Sequence, residues 1–325
     1  MRAIIPVAGV GSRLRPHTYT VPKVLLNVAG KPIIGHIMDK IIAEGFDSAT
    51  IVVGYLGDLI KEYILANYSI KVDFVEQEER LGLGHAIYLS RHTISKDPVL
   101  IILGDTVFDV NLGEMIKSEY STIGVKEVAD PRRFGVAETE SGFVSRLIEK
   151  PENPTSNLAL VGLYYIKHPD ILLDCLKEMM KRDIRTKNEY QLTDGLQLMI
   201  ERGEKLKTFA IEGWYDCGKP ETLLETNRHL LHTTATVNGI DESVVVIPPV
   251  FISPKASVKR SVIGPFATIA AGAIVEDSII RNSIISEDAK AISTLLENSI
   301  IGTNAIVKGG FKRINIGDSS ELEYY

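Results

Sequence analysis

The last third of the chain carries a six-residue repeat, and this repeat restricts the possible folds more than any other feature. From about Val246, an isoleucine recurs mostly every sixth position and a small residue follows it four positions later: Ile252 with Ala256, Ile263 with Ala267, Ile269 with Ala273, Ile285 with Ala289, and Ile301 with Ala305. This period predicts a short left-handed parallel β-helix, in which each turn stacks three short strands on the turn below. An antiparallel sandwich would instead alternate with period two. The spacing falls to five at Val258 to Ile263 and at Ile280 to Ile285, so the turns are not all equal.

The region up to about residue 232 has a different pattern, in which apolar strand-like runs alternate with amphipathic helical stretches. The runs "AIIPVAG", "ATIVVGY" and "PVLIILGD" are separated by helix candidates at Ile33–Ala43, Leu59–Asn67 and Gly84–Thr93. The alternation predicts an α/β fold, a Rossmann-like, mostly parallel sheet with helices on both faces. Since ligands bind beyond the carboxyl ends of parallel strands, we expect residues 9–13 and 104–105 on one edge.

A polar junction separates the two patterns. The stretch "HTTATVNGIDES", His232 to Ser243, has one glycine and little apolar character. It predicts a first domain of residues 1–235 and a β-helix domain of residues 236–325. The flat stacked faces of a β-helix are suited to pairing with copies of the same chain, so we expect a homo-oligomer.

Composition excludes several classes of protein. The 325 residues are 45% hydrophobic and 24% charged, which is ordinary for a globular protein, and the net charge of -6 argues against nucleic-acid binding. The apolar run in "MRAIIPVAG" is too short for a signal peptide or a membrane span, so we expect a cytoplasmic protein without a membrane partner. Cys175 and Cys217 lack metal-ligand spacing and are interpreted as reduced structural thiols.

The basic residues are unevenly distributed. There is no acidic residue from Met1 to Met38, although the chain as a whole is acidic. The same stretch contains five basic residues, Arg2, Arg13, Arg15, Lys23 and Lys31. This cationic segment predicts a small anionic ligand.

The loop "PVAGVGSRLRPHTYTVPK" follows the first predicted strand. It matches neither the dinucleotide-binding fingerprint nor the ATPase phosphate loop, because Leu14 replaces the third glycine and no Gly-Lys-Ser/Thr follows. Gly9 and Gly11 nevertheless allow consecutive N–H groups to face an anion, and Arg13 and Lys23 add two cations. A surface turn with solvated cations is the alternative. The context favours a polyphosphate-binding loop.

The stretch "AGVGSRLRPHTYTVPKVLLNVAGKPII" resembles the signature of the sugar-phosphate nucleotidylyltransferases, G-G-x-G-T/S-R-L-x-P-x-T…P-K-x-L-x-P-V-x-x-K-P. That family joins a nucleoside triphosphate to a sugar 1-phosphate and releases pyrophosphate. Two positions depart from the pattern: Ala8 replaces the first glycine, and Asn27 stands where proline is common. Ala8 is similar to the uridylyltransferases, whereas Arg15-Pro16 is more like the thymidylyltransferases.

The resemblance continues in "VEQEERLGLGHAI", "LGDTVF", "RLIEKPENPTSNLALVGLYYI" and "WYDCGKPETLLETN". It implies catalytic roles for Arg13 and Lys23, nucleotide binding by Ala8, Gly9, Gly11, Ser12, Gln77 and Gly82, sugar-phosphate binding by Glu149, Lys150 and Gly162, and Mg2+ binding by Asp105 and Asp216. A glutamine amide suits the imide edge of uracil or thymine because it can donate and accept. Without the resemblance, each aspartate would be interpreted as a turn cap.

The resemblance implies transfer from dTTP or UTP to a hexose 1-phosphate, with glucose 1-phosphate favoured. Two alternatives stay open: a mannose-1-phosphate guanylyltransferase, and a non-catalytic subunit that binds sugar nucleotides. The second would be expected to have lost Arg13, Lys23, Asp105 or Asp216, and all four are present. Acetyl transfer by the β-helix lacks an obvious base, since all seven histidines precede the repeat.

Overall fold

A computed structural model describes residues 1–236 and 241–309. In the first two thirds the strands are β1 (Arg2–Pro6), β2 (Asn27–Val28), β3 (Lys31–Pro32), β4 (Ser48–Val53), β5 (Lys71–Glu76), β6 (Val99–Ile102), β7 (Thr106–Asp109), β8 (Ser121–Glu127), β9 (Gly135–Glu140), β10 (Phe143–Glu149), β11 (Leu158–Ile166), β12 (Leu206–Ala210) and β13 (Gly213–Asp216). The helices are α1 (Ile33–Ala43), α2 (Gly57–Asn67), α3 (Leu83–Leu89), α4 (Leu112–Met115), α5 (Pro169–Lys181), α6 (Leu192–Glu201) and α7 (Pro220–Thr234).

The three predicted helices are confirmed. The first coincides with α1, the second begins two residues earlier as α2, and the third is divided between α3 and a 3-10 turn at Ser90–Thr93. The helix pattern in these stretches was clear because apolar residues recur on one face.

The chain divides into two compact units. The first comprises Met1–Leu26 and Lys31–Thr226, and the second comprises Asn27–Gly30 together with the chain from Asn227 onward. The division therefore falls within α7, before the polar junction. The predicted domain limits, 1–235 and 236–325, stay a prediction, and residues 237–240 and 310–325 of the second domain lie outside the described residues.

The first unit is built on a sheet of nine strands. Its main path is β10-β9-β11-β6-β1-β4-β5, with β8 paired to β11 and β12 paired to β8. Strands β6, β1, β4 and β5 are parallel, whereas β11 is antiparallel to β6. The predicted α/β fold with a mostly parallel sheet is confirmed, and β11 adds an antiparallel strand that an apolar run in the sequence cannot reveal.

Both faces of the central strand β1 are buried. Ile4 belongs to a core cluster with Leu176 of α5 and Leu196 of α6, and its neighbours Ala3 and Ile5, which point to the other face, are equally inaccessible to solvent. Complete burial of an aliphatic side chain contributes about 1.5–3 kcal/mol. This two-sided burial explains why residues 3–5 are all apolar rather than alternating with polar residues.

The loop after β1 and the loop after β6 meet at one edge of the sheet, as expected from the sequence. The N–H of Gly104 donates a hydrogen bond to the carbonyl oxygen of Pro6 at 3.3 Å. Asp105 follows directly. This edge carries the candidate site described below.

After α7, the described residues of the second unit form a series of short strands: β14 (Val245–Val246), β15 (Val250–Ile252), β16 (Ser257–Lys259), β17 (Val262–Ile263), β18 (Ala267–Ile269), β19 (Ile274–Glu276), β20 (Ile279–Arg281), β21 (Ile284–Ile285), β22 (Lys290–Ile292), β23 (Leu295–Glu297), β24 (Ile300–Ile301) and β25 (Ile306–Lys308). They form three parallel sheets, β14-β17-β20-β23, β15-β18-β21-β24 and β16-β19-β22-β25. This confirms the predicted hexapeptide-repeat, left-handed β-helix.

The turns of the β-helix are shorter than three full hexapeptides. Val245 lies beside Val262, seventeen residues later, and Ile279 lies beside Leu295, sixteen residues later. The five-residue steps noted in the sequence account for the missing positions. At the corners, Asp277, Asn282 and other residues take positive φ, a conformation that Asp and Asn tolerate better than other non-glycine residues.

Burial in the β-helix leads to a stability prediction. Ile280 points inward and is completely buried, whereas Ile306 is 58% exposed. We expect Ile280→Ala to lower the free energy of unfolding by about 2–5 kcal/mol, because it removes buried methylene groups and leaves a cavity. Ile306→Ala, the control, is expected to change it by at most about 0.5 kcal/mol. Urea unfolding of the full chain followed by circular dichroism measures both, and equal effects would contradict the inward assignment.

Candidate active site

The loop after β1 presents free N–H groups. Gly11 has φ 64 and ψ 37, in the left-handed region, and its carbonyl oxygen accepts hydrogen bonds from the Thr18 hydroxyl at 2.8 Å and the Leu14 N–H at 2.9 Å. Within the described residues, no group accepts a hydrogen bond from the N–H of Gly9, Val10 or Gly11. A loop whose carbonyl side is fixed and whose N–H groups are open can bind an anion.

The other residues of this loop that were named from the sequence differ in their exposure to solvent. Ala8 is buried at the start of the loop. Ser12 is exposed and begins a 3-10 turn, Ser12–Leu14, which also carries Arg13. The structure thus places Arg13 at the end of the loop with its side chain in the solvent-accessible part of the site.

Two cavities border this loop. One has a volume of about 540 Å³ and is lined by the predicted residues Arg13, Asp105, Glu149, Lys150 and Asp216. The other, of about 400 Å³, is lined by Val10 and Gln77 among others. The loop therefore lies between a cavity rich in charged groups and a cavity that contains the predicted base-contacting glutamine.

Lys23 and Asp105 form an ion pair. The distance from Lys23 Nζ to Asp105 Oδ2 is 2.8 Å, and the Thr106 hydroxyl donates to Asp105 Oδ1 at 3.2 Å. Burial raises the pKa of the Asp105 carboxyl, but the Lys23 ammonium and the hydrogen bonds to the carboxylate together outweigh this effect and hold the pKa below its ordinary value. Lys23 is buried and is absent from the described residues that line the 540 Å³ cavity. In this structure it neutralises the carboxylate rather than facing open space.

Asp216 lies next to Asp105. Strand β13 pairs with β7 so that Asp216 is opposite Thr106, and the N–H of Cys217 donates to the carbonyl oxygen of Asp105 at 2.9 Å. Burial and then the charge of Asp105 raise the pKa of the Asp216 carboxyl, while Lys23 and Arg13 lower it. The two predicted metal ligands are thus neighbours whose repulsion is partly offset by cations.

This carboxylate pair fits a divalent cation whose remaining ligands come from water and from the substrate phosphates. No cluster of three or more metal-ligating side chains occurs in the parts of the chain that the structure describes. Mg2+ is commonly held by one or two carboxylates, with water and phosphate oxygens completing the octahedron. Asp105 and Asp216 match that donor set.

The sugar side of the cavity is organised around Glu149. The Thr193 hydroxyl donates to Glu149 Oε2 at 2.7 Å, and Lys150 Nζ lies 2.9 Å from Glu149 Oε1. A Cβ at Gly135 would lie 3.0 Å from Glu149 Oε2 and 3.1 Å from the Thr193 hydroxyl oxygen. Any side chain at residue 135 would therefore crowd this pair.

Gly162 lies beside the cavity rather than on its wall. Its carbonyl oxygen accepts a hydrogen bond from the N–H of Leu103 at 2.9 Å. Val161 and Tyr164 line the cavity, but Gly162 is not among the described residues that do so. The role of its N–H toward a sugar stays a prediction.

On the base side, the structure brings Gln77 and Gly82 together. Gln77 follows β5, and its backbone N–H donates to the carbonyl oxygen of Val53 at 2.8 Å. Its side-chain Nε2 donates to the carbonyl oxygen of Gly82 at 3.0 Å. The two predicted base-contacting residues are therefore hydrogen-bonded to each other.

Comparison with known proteins agrees with this geometry. The sequence profile described as "Nucleotidyl transferase" matches residues 2–233. The chain belongs to this nucleotidyl transferase family. A glucose-1-phosphate thymidylyltransferase of Streptomyces griseus is 31% identical to it over 99% of both chains. A UTP–glucose-1-phosphate uridylyltransferase of Haloferax volcanii is 33% identical, over 72% of this chain and 98% of the relative.

A solved structure is also similar to this nucleotidyl transferase. A UDP-glucose pyrophosphorylase complexed with UDP-glucose has a TM-score of 0.62 and 26% identity, over 71% of this chain and 98% of the other. Among the described residues, no helix is long and apolar enough to cross a membrane.

Sequence reasoning overlooked part of the wall of this nucleotidyl transferase site. Arg133 and Gly135, on either side of Phe134 at the start of β9, line the 540 Å³ cavity, and the motifs quoted from the sequence do not include them. Thr193 and Trp214 also line this cavity. The indole N–H of Trp214 is buried without a hydrogen-bond partner in the described residues, and its ring meets Phe134 edge to face at 5.0 Å.

The ion pair of this nucleotidyl transferase leads to a double-mutant cycle. We expect Lys23→Met to lower the free energy of unfolding by about 1–3 kcal/mol, less than for a fully buried pair because the Asp105 side chain is 40% exposed. Lys23→Met with Asp105→Asn should recover part of that loss, since the unpaired carboxylate is removed. Urea unfolding in the presence of a chelator measures the cycle. Additive effects would show that the pair contributes no coupling energy.

Proposed function

We propose that the protein joins a pyrimidine nucleoside triphosphate, dTTP or UTP, to a hexose 1-phosphate, glucose 1-phosphate being favoured, and releases pyrophosphate. The observation that carries this proposal is the 540 Å³ cavity, in which Arg13, Lys150 and two neighbouring carboxylates converge. The family membership and the named activities of the two relatives support it.

The proposed reaction is an in-line displacement. A phosphate oxygen of the sugar 1-phosphate attacks the α-phosphorus, a new P–O bond forms, and the bond from the α-phosphorus to the bridging oxygen breaks as pyrophosphate leaves. No covalent enzyme intermediate is needed. Because both reactants are polyanions, the site has to reduce their repulsion and stabilise the charge that builds up in the transition state.

Cationic side chains are available for both tasks. Arg13 and Lys150 line the cavity and also an adjoining open groove of about 890 Å³, to which Arg133 and Lys187 contribute. We propose that Arg13 meets the charge at the α-phosphate and that Lys150 holds the sugar phosphate. Lys23, with Asp105 2.8 Å away, would act at the same phosphate through this carboxylate, by maintaining the local charge balance.

A divalent cation, Mg2+ in this proposal, would be held by Asp105 and Asp216. When bound, it would supply Lewis-acid stabilisation of phosphate oxygens. The protein itself keeps the two carboxylates adjacent. The positive charges of Arg13 and Lys23 reduce the repulsion between them.

Sugar recognition is assigned to Glu149. Its carboxylate is fixed by the Thr193 hydroxyl and by Lys150, and a fixed carboxylate can accept hydrogen bonds from sugar hydroxyl groups. Gly135 keeps this wall open.

We also propose a cytoplasmic location. Cys175 and Cys217 are both buried and form no disulfide, which supports this location.

Pyrophosphate release tests the proposed activity. dTTP, UTP, CTP, ATP and GTP are combined with glucose, mannose and N-acetylglucosamine 1-phosphates and Mg2+. We expect release with UTP or dTTP and glucose 1-phosphate. Strongest release with GTP and mannose 1-phosphate would favour a guanylyltransferase, and no release with any pair would favour a non-catalytic binding protein.

Substitution of Arg13 tests the residue assignment. We expect Arg13→Ala to lower kcat by about 10²–10³-fold, because a charge-stabilising group is lost in the transition state. Arg182→Ala is the control, since Arg182 is an exposed residue at the end of α5. Both variants should keep the circular dichroism spectrum of the parent, and an unchanged kcat in Arg13→Ala would remove this residue from the mechanism.

We also propose that the protein forms a homo-oligomer through one face of the β-helix. Four aliphatic residues of adjacent strands are aligned there in register, Val245, Val262, Ile279 and Leu295. Leu295 is 77% exposed and Val245 58%. The corresponding strands β16, β19, β22 and β25 of another face end in Lys259, Glu276, Ile292 and Lys308. Three of these four residues are charged, whereas all four residues of the first row are aliphatic.

Charges beside this aliphatic row support a second copy as its partner. Arg281 and Glu297 are exposed, lie on adjacent strands and make no ion pair with any described residue. Opposite unpaired charges on one face are self-complementary in a two-fold interface, where each patch meets its own copy.

Sedimentation velocity tests this interface. We expect Leu295→Glu to reduce the assembly to a smaller species, because it places a carboxylate in the aliphatic row. Ile306→Glu, on another sheet of the β-helix, should leave the sedimentation coefficient unchanged. A monomeric parent protein, or a Leu295→Glu variant of unchanged size, would contradict the proposal.

A further inference from the structure

The side-chain amide of Gln77 makes two hydrogen bonds through a single atom. Gln77 is 5% exposed, yet it lines the 400 Å³ cavity. Its Nε2 lies 3.0 Å from the carbonyl oxygen of Gly82 and 3.1 Å from His85 Nδ1. Both partners belong to the segment that begins α3.

The hydrogen-bonding capacity of Gly82 determines the orientation of the Gln77 amide. A carbonyl oxygen can only accept, so the atom that faces Gly82 has to be the amide nitrogen and not the amide oxygen. The nitrogen carries two hydrogens. Gly82 takes one, and the other is directed to His85 Nδ1, which therefore accepts.

The protonation state of His85 is compatible with this arrangement. Nδ1 can accept only if the ring is neutral and carries its hydrogen on Nε2. Burial lowers the pKa of the His85 ring, with the nearby Glu79 opposing the shift, so the ring is neutral at pH 7. With both hydrogens of Gln77 engaged, Oε1 is the part of the amide that remains available to a ligand.

The start of α3 holds His85 in place. Gly82 is the N-cap of α3, and the N–H of Gly84 donates to the carbonyl oxygen of Tyr190 at 2.8 Å. His85 comes three residues after Gly82, so one helical turn places its ring beside the same amide that Gly82 contacts. The sequence "GLGHA" thus supplies both acceptors.

We infer that His85 is a positioning residue that fixes the Gln77 amide as a hydrogen-bond acceptor, and thereby selects a base with an N–H on its ring edge. The inference rests on the proposed function, in which Gln77 contacts the base. Uracil and thymine carry such an N–H at N3, whereas cytosine N3 and adenine N1 are acceptors. If Gln77 Oε1 faces one of these ring acceptors, neither atom has a hydrogen-bond donor and a buried polar group is left unpaired. CTP and ATP are therefore disfavoured.

Kinetic selectivity tests this role. The ratio of kcat/KM for UTP to that for CTP is measured with glucose 1-phosphate in the parent protein, in His85→Leu and in His85→Asn. In His85→Leu, Gly82 alone of these two acceptors still restrains the amide, so the amide can rotate and present its nitrogen to cytosine N3, and we expect the ratio to fall by about tenfold or more. Asn places an amide oxygen near the position of Nδ1, and His85→Asn should keep most of the selectivity.

Two results would overturn the inference while leaving nucleotidyl transfer intact. One is a parent enzyme that prefers CTP or ATP. The other is a His85→Leu variant in which activity with UTP and CTP falls equally, since this indicates a structural role only.

A spectroscopic measurement is independent of activity. In ¹⁵N-labelled protein at pH 7, we expect the His85 ring to show a protonated Nε2 and an unprotonated, hydrogen-bonded Nδ1, and the Nδ1 signal should shift in Gln77→Leu. A ring with its hydrogen on Nδ1 would overturn the inference even if the protein proved inactive with every nucleotide. Absence of activity together with the expected tautomer would contradict only the proposed function.

Discussion

The ion pair between Lys23 and Asp105 joins the two parts of the chain from which the site is built. Lys23 belongs to the segment that follows the loop after β1, and Asp105 follows β6. Without this ammonium, Asp105 and Asp216 would be two neighbouring carboxylates whose mutual repulsion favours protonation. The pair keeps the carboxylates available as ligands and the cavity close to electrical balance, on which binding of both a cation and polyanionic substrates depends.

Most of the fold could be predicted because its periodicities are regular. The six-residue repeat identified the β-helix, and the helix pattern gave the limits of α1 without error. Strand direction was not visible, since β11 is apolar on both faces whether it runs parallel or antiparallel. The division of the chain within α7 was not visible either, because a continuous helix carries no turn residues to mark it.

The site was predicted in part, and the reason differs for each residue. Arg13, Asp105, Glu149, Lys150 and Asp216 line one cavity, and the resemblance to the nucleotidylyltransferases had pointed to all five. The sequence could not show that Lys23 would be paired with Asp105, because that contact spans 82 residues. Gly135 and His85 act through close packing and hydrogen bonding to other site residues, which only the folded chain brings together.

In the proposed reaction, the two bound substrates react directly with each other at the α-phosphorus. The stereochemistry at that atom tests this reaction. The donor is a single diastereomer of UTP or dTTP with sulfur in place of one α-phosphate oxygen, and glucose 1-phosphate is the acceptor. A single in-line displacement predicts inversion of configuration in the sugar nucleotide, read by ³¹P NMR. Retention would require two displacements and a covalent enzyme intermediate, and would rule out direct reaction between the two substrates.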